Sequence, residues 1–172
     1  MKAPVNAMSL RRIANLSVSA LLFILCVSCA GKETARDDVF ENPVIRKYEN
    51  TSVYFHEGLY YYVTNDAGQL NLFVSADPTQ LEQTQPCAAC QAKDQYGLLH
   101  IWHPQIINIR EKWYIYLSAD DGNTDNHQIY VLENPEQDPR KGTFTMRGRI
   151  KTDPDDNWAI HAHVFEYGGE LY

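Results

Sequence analysis

Three nitrogen-bearing side chains occur at equivalent points of the sequence. Asn50, His103 and His161 each lie three residues before an aligned apolar residue, namely Val53, Ile106 and Val164. His163 follows His161 by two residues, so it falls on the same side of a strand. Because equivalent positions of repeated sheets meet around one centre, we predict that these side chains face a common funnel. Several imidazoles in one cavity could hold a zinc or copper ion.

A His-based metal site is nevertheless the least favoured hypothesis for the function of this chain. No carboxylate is clearly placed as a further ligand, and isolated histidines are common in protein cores. The Asp- and Asn-rich run at residues 120–126 is not an EF-hand, because the twelfth position counted from Asp121 is Leu132 instead of Glu. We therefore predict a solvated hairpin loop there, and neither a metal nor a cofactor.

The four cysteines form two pairs. Cys26 and Cys29 end a leader that has a basic start and an apolar middle, as in an export signal. The ending CVSC resembles a bacterial lipobox, which predicts a signal peptide at residues 1–28, a lipid on Cys29 and a flexible tether at residues 29–41. Simple secretion is the alternative. The predicted location is the periplasm or cell surface, with the chain anchored to the membrane by this lipid.

The second pair, Cys87 and Cys90, lies in a segment predicted to be a polar loop from Gln83 to Asp94. In an exported protein a short structural disulfide is the favoured interpretation, followed by two free thiols. A thioredoxin-like motif would need a strand-to-helix context, and a zinc site would need two further ligands.

Strands rich in β-branched and aromatic residues alternate with turns along the rest of the chain. An apolar strand, a glycine or charged turn and an aromatic strand recur near residues 53–63, 106–117 and 164–172. The interval of about 50 to 60 residues is typical of propeller blades. We predict an all-β fold of about two blades and the start of a third, with a β-sandwich as the alternative.

Length and charge limit this interpretation further. A propeller of five or more blades at about 50 residues each needs well over 250 residues, whereas the chain has 172. We therefore expect a truncated propeller. The net charge is −7, and the predicted leader contains Lys2, Arg11 and Arg12 but no acid, so the remainder is more acidic still. Such a surface repels phosphate backbones and excludes nucleic acid as a partner.

Several motifs, in order, resemble glycoside hydrolase family 43. They are ENPVIRKY, SVYFHEGLYYYVTND, KWYIYLSADDGN, NHQIYVLEN, GTFTMRGRI and WAIHAHVFEYGGELY, and the resemblance covers nearly all of residues 42–172. The resemblance implies the first half of a five-bladed β-propeller. It also implies hydrolysis of arabinofuranosyl or xylosyl linkages with inversion, and a pentose-containing glycan as the partner. The oligomeric state stays open.

The resemblance also implies that key acids are replaced. Asn50 stands where the family has its general base, and an amide cannot take a proton from water. Glu49 is adjacent but would point to the opposite face of a strand. His161 stands where an Asp adjusts the pKa of the general acid, and a charged imidazole there would lower that pKa. The acid itself is a Glu of a later blade, with no counterpart in this sequence.

Four more residues match positions near the family's substrate or propeller axis. They are Trp102, His103, Gln105 and His127. Gln105 replaces an acid that commonly faces the substrate, and His127 could equally be a hydrogen-bonded core residue. Together these residues predict a family-43-like protein with impaired catalysis. A non-catalytic carbohydrate-binding relic is the main alternative.

Overall fold

The computed structural model describes residues 45–46 and 52–172. The predicted leader, its lipidation site Cys29, the tether and Asn50 lie outside these residues. Two four-stranded antiparallel sheets and a short hairpin form the described part. In the described residues no helix is long and apolar enough to cross a membrane.

The first sheet has the strand order β1-β2-β3-β4. Its strands are β1 (Val53–His56), β2 (Leu59–Asp66), β3 (Gln69–Ser75) and β4 (Cys87–Gln91). Two-residue turns join β1 to β2 and β2 to β3. Both residues of each turn have positive φ, as the tight turns of hairpins require. Gly68, at φ 99°, also lies against the Lys93 side chain, so a Cβ at this position would overlap the Lys93 Cβ.

The predicted loop at residues 83–94 is wrong. Its middle forms β4, which pairs with β3, and a short helix α1 (Ala92–Tyr96) follows. The favoured disulfide is also wrong, because Cys87 and Cys90 are free thiols. Residues three apart on an extended strand are separated by about 10 Å, beyond the reach of a disulfide. Burial raises the pKa of Cys90 to about 11.

The second sheet has the strand order β5-β6-β7-β8. Its strands are β5 (Leu99–Ile109), β6 (Lys112–Asp120), β7 (Gln128–Asn134) and β8 (Thr145–Ile150). The predicted strand pair at residues 106–117 is confirmed, while β5 begins seven residues before Ile106. Its first half is irregular, with register shifts between Leu99 and Trp102 and between Trp102 and Gln105. The hairpin that follows, β9 (Glu166–Tyr167) and β10 (Glu170–Leu171), begins a third module.

One hydrophobic core lies between the two sheets. It contains Val63, Leu70 and Leu72 of the first sheet and Ile106, Ile115 and Leu117 of the second, all nearly inaccessible to solvent. Trp113 lies at the centre of this interface. Its ring is 4.5 Å from that of Tyr61 and 5.4 Å from that of His56. The alternation of apolar residues thus pairs the sheets like neighbouring blades and brings the first half of β5 and the second half of β6 to one end.

Candidate functional site

His103 and His161 lie in contact at the end of the second sheet where β5 begins. Their ring centroids are 3.8 Å apart, with an interplanar angle of 41°. Both residues have left-handed backbones, at φ 45° and 57°, a conformation uncommon for residues other than glycine. The structure therefore brings together two of the three histidines that were predicted to face a common funnel. The His163 ring lies 6.1 Å from that of Phe165 instead.

The surroundings of this pair favour a neutral His103 ring. Burial and then repulsion from His161 lower the pKa of His103. The His103 Nδ1 atom is buried and has no hydrogen-bond partner. Among the described residues no group of three His, Cys, Asp or Glu could hold a metal ion. The two imidazoles thus form a polar contact with one unused ring nitrogen.

The buried hydroxyl of Ser118 holds the backbone of His161 in place. The His161 amide donates to Ser118 Oγ over 2.8 Å. Ser118 lies on β6, two residues before Asp120 and therefore on the same side of the strand. Both side chains are fully buried. The side of β6 that carries Ser118 and Asp120 thus faces the segment that contains His161.

Gln105 connects β5 to the third module. Its Nε2 atom donates to the Val164 carbonyl over 2.9 Å, and its Oε1 atom accepts from the Val164 amide over 2.8 Å. Only 7% of Gln105 is exposed. The side-chain amide of Gln105 therefore bonds the backbone of Val164 as a neighbouring strand would. Val164 lies three residues after His161.

The buried ring of His127 has hydrogen-bonding partners at both of its nitrogens. Its Nδ1 atom lies 2.9 Å from Asp120 Oδ2 and 3.1 Å from the Thr124 carbonyl. Its Nε2 atom lies 2.9 Å from the His100 carbonyl. All these partners carry acceptor oxygens, so they hold the imidazole ring in one orientation. Asp120 also contacts His100 Nδ1 over 2.9 Å.

Two indoles pack around the His127 ring. Trp102 stacks on it with centroids 3.9 Å apart, and Trp158 meets it edge-on at 6.3 Å. The Trp158 Nε1 atom donates to the Thr124 carbonyl over 2.7 Å, yet half of this residue remains exposed. An exposed, fixed aromatic ring of this kind can stack against a sugar.

Sequence reasoning missed Asp120 and His100, and it did not single out Trp158 as a site residue. The prediction of a solvated loop is wrong for Asp120, because β6 continues through this residue. The available signal was the short run Ser118-Ala119-Asp120 directly after an alternating strand. Residues 121–126 are exposed, as predicted for the loop.

A model of one enzyme family matches residues 40–172, and its description is glycosyl hydrolases family 43. The chain belongs to this family. An alpha-L-arabinofuranosidase structure from Lactobacillus brevis superposes with a TM-score of 0.65 at 26% identity, over 77% of this chain and 45% of that one. A thermostable family-43 glycoside hydrolase superposes with a TM-score of 0.56 at 20% identity, over 77% and 43% of the two chains. The predicted all-β partial propeller is thus confirmed.

Two curated relatives carry the same description, extracellular exo-alpha-(1->5)-L-arabinofuranosidase. The Streptomyces avermitilis protein is 30% identical over 89% of this chain and 33% of its own length. The Streptomyces chartreusis protein is 27% identical over 94% of this chain and 51% of its own length. The chain therefore spans between one third and one half of these relatives.

Proposed function

We propose that this family-43 chain binds an arabinose-containing glycan at the surface formed by Trp158, His161 and His103, and that its hydrolytic activity is impaired. The contact between His103 and His161, at 3.8 Å, carries this proposal. It occupies one end of the two blades, where the family resemblance places an Asp at position 161. The alternative within the same family is an active glycosidase.

The glycan assignment draws on the relatives and on the aromatic groups of the surface. Both Streptomyces relatives are described as arabinofuranosidases. Trp158 is half exposed and is held by its hydrogen bond to the Thr124 carbonyl. A rigid indole offers a sugar ring a large contact area and loses little conformational entropy on binding.

The proposal of impaired hydrolysis follows from the chemistry of the replaced acids. An inverting glycosidase needs one carboxylate to activate water and one carboxylic acid to protonate the leaving oxygen. Asn50 cannot act as the base, and loss of general base catalysis alone lowers a rate by about 10²- to 10⁴-fold. At position 161 an imidazole lacks the negative charge that would keep a neighbouring acid protonated.

Parallel assays of turnover and binding test both halves of this proposal. The purified chain should release no arabinose from arabinan or nitrophenyl arabinofuranoside, yet arabinan should retard it in affinity gels. Trp158→Ala should weaken the retardation, while Arg110→Ala, in an exposed turn, should not. Turnover that disappears on changing Asn50 or His161 would show an active enzyme and refute impairment. No retardation of the unchanged chain would refute glycan binding.

We also propose that Cys29 carries a lipid that anchors the chain on the outer side of the cytoplasmic membrane or on the cell surface. The support is the lipobox-like ending CVSC of the leader and the extracellular description of both relatives. Expression in a bacterial host with radiolabelled palmitate should label the chain and place it in the membrane fraction. Cys29→Ser should lose the label, whereas Cys87→Ser should keep it. Equal labelling of both variants would refute the anchor.

A further inference from the structure

A groove lies on the outer part of the second sheet, between the loop after β6 and strands β7 and β8. It consists of two adjoining cavities of about 320 and 310 Å³. Asp121, Tyr130 and Arg149 line both of them. These volumes are at the lower end of the range for small-molecule sites. The groove shares none of its lining residues with the surface formed by Trp158, His161 and His103, which we call the histidine surface.

The first cavity is rich in hydrogen-bond acceptors that lack donors. Gln128 lines it and is only 6% exposed, and its Oε1 atom has no partner. Both Gln128 donor positions are already used, because Nε2 bonds the carbonyls of Asp156 and Asn157. The Asp156 Oδ1 atom is likewise buried without a partner. A buried acceptor without a donor is unfavourable, so the cavity suits a ligand that brings several donors.

The charges of the lining residues limit the kind of ligand further. Asp121, Asp125 and Asp156 line this cavity together with a single cation, Arg149, whose Nη2 atom already bonds Asp156 Oδ2 over 2.7 Å. Hydrogen bonds from Asn126 and Asn123 lower the pKa of Asp121, so it stays an ionised acceptor. An excess of negative charge repels acidic ligands such as uronic acids. Hydroxyl groups satisfy the same acceptors without charge.

The second cavity is mainly apolar. Tyr96, Leu98 and Met146 line it, and Tyr130 separates it from the acceptor-rich cavity. Burial raises the pKa of Tyr130, so its hydroxyl remains a donor at neutral pH. The C–H face of a sugar ring can pack on such a surface while its hydroxyls reach the carboxylates.

We infer that this groove is a second binding site for a neutral oligosaccharide, with sugar hydroxyls donating to Gln128 Oε1, Asp125 and Asp121 and a ring packed on Tyr130. This site does not depend on the proposed function of the histidine surface. A divalent cation is the other class of ligand that such acceptors could take. The absence of a metal-type cluster among the described residues favours the sugar.

Calorimetric titration of the full chain with neutral arabino- and xylo-oligosaccharides of two to four residues tests this inference. Asp125→Asn and Tyr130→Phe each keep the shape of the groove and alter one hydrogen-bonding group. Each should weaken binding by about five- to tenfold, the effect of one hydrogen bond. Asp155→Asn, on an exposed residue outside the groove, should bind normally.

Two further measurements separate this groove from the histidine surface and from a cation site. Trp158→Ala should still bind oligosaccharides in the groove, even if it no longer binds them at the histidine surface. Galacturonic oligomers should not bind the groove. Unchanged sugar binding in both groove variants would overturn the inference. Calcium binding that Asp125→Asn removes, with no sugar binding at any calcium concentration, would overturn it in favour of a cation site.

Discussion

Gln105 and Val164 exchange two hydrogen bonds, so a side-chain amide occupies the place that a neighbouring strand would take beside Val164. This arrangement needs one donor and one acceptor on the same side chain. Glutamine has both, whereas an ionised glutamate has only acceptors. The acid that the family resemblance implies at position 105 could not make this connection at neutral pH.

Gln105→Glu should therefore destabilise the chain in a pH-dependent way. At pH 7.5 the carboxylate would face the Val164 carbonyl without a donor and lower the free energy of unfolding by about 1–3 kcal/mol. At pH 4 a protonated carboxyl would restore a donor, and the difference from the unchanged chain should shrink. Urea titrations at both pH values measure this. Gln105→Met should lose stability equally at both, and an equal pH response in the two variants would contradict the explanation.

Asp120→Ala should be among the most destabilising substitutions. It would remove the buried side chain that contacts both His127 and His100, and leaving a buried polar group without its partner costs about 1–3 kcal/mol. Chemical denaturation measures this loss. Asp155→Ala removes an exposed carboxylate from the same sheet region and should change stability by less than about 0.5 kcal/mol. Similar effects of the two substitutions would contradict a stabilising role for the contact between Asp120 and His127.

Gly68→Ala tests the close approach of the β2–β3 turn to α1. Gly58 and Gly68 both occupy tight turns with positive φ, but only the Cβ added at Gly68 would overlap Lys93. Gly58→Ala would meet no atom within 4 Å. The melting-temperature loss should therefore be larger at Gly68, by an amount equivalent to about 1–3 kcal/mol. Equal losses at the two glycines would contradict a steric role for Lys93.

The His103 environment should make the chain less stable in mild acid. Burial and repulsion from His161 lower its pKa from the ordinary value of 6.5 in the folded state. Below pH 6.5 the unfolded chain then binds more protons than the folded one, so stability falls as the pH decreases. His103→Gln should flatten this part of the pH profile of unfolding free energy. His163→Gln, on an exposed histidine nearby, should leave it unchanged, and an unaltered slope in His103→Gln would refute the assignment.

The sequence was most informative where one periodicity continued along a strand. The alternation from Trp113 to Leu117 predicted β6, and the equal offsets of His103 and His161 predicted that they meet. The run from Ser118 to Asp120 indicated that β6 could continue to Asp120, but it did not indicate the contact with His127, which lies across a loop. The left-handed backbone at His103 and His100 depends on bulges that no residue type there indicates. The segment Cys87–Gln91 forms a strand through its pairing with β3, despite polar flanking residues.

The single core shared by the two sheets determines how the described part should unfold. Trp113 on β6 contacts rings from β1 and β2, and the backbone amide of Phe144 bonds the Ala89 carbonyl of β4. Neither sheet can therefore open without exposing the apolar face of the other. Melting should be cooperative across both sheets, with the fluorescence of Trp113 and the far-ultraviolet circular dichroism changing at one temperature. The blades behave as repeats in sequence, but energetically they form one unit.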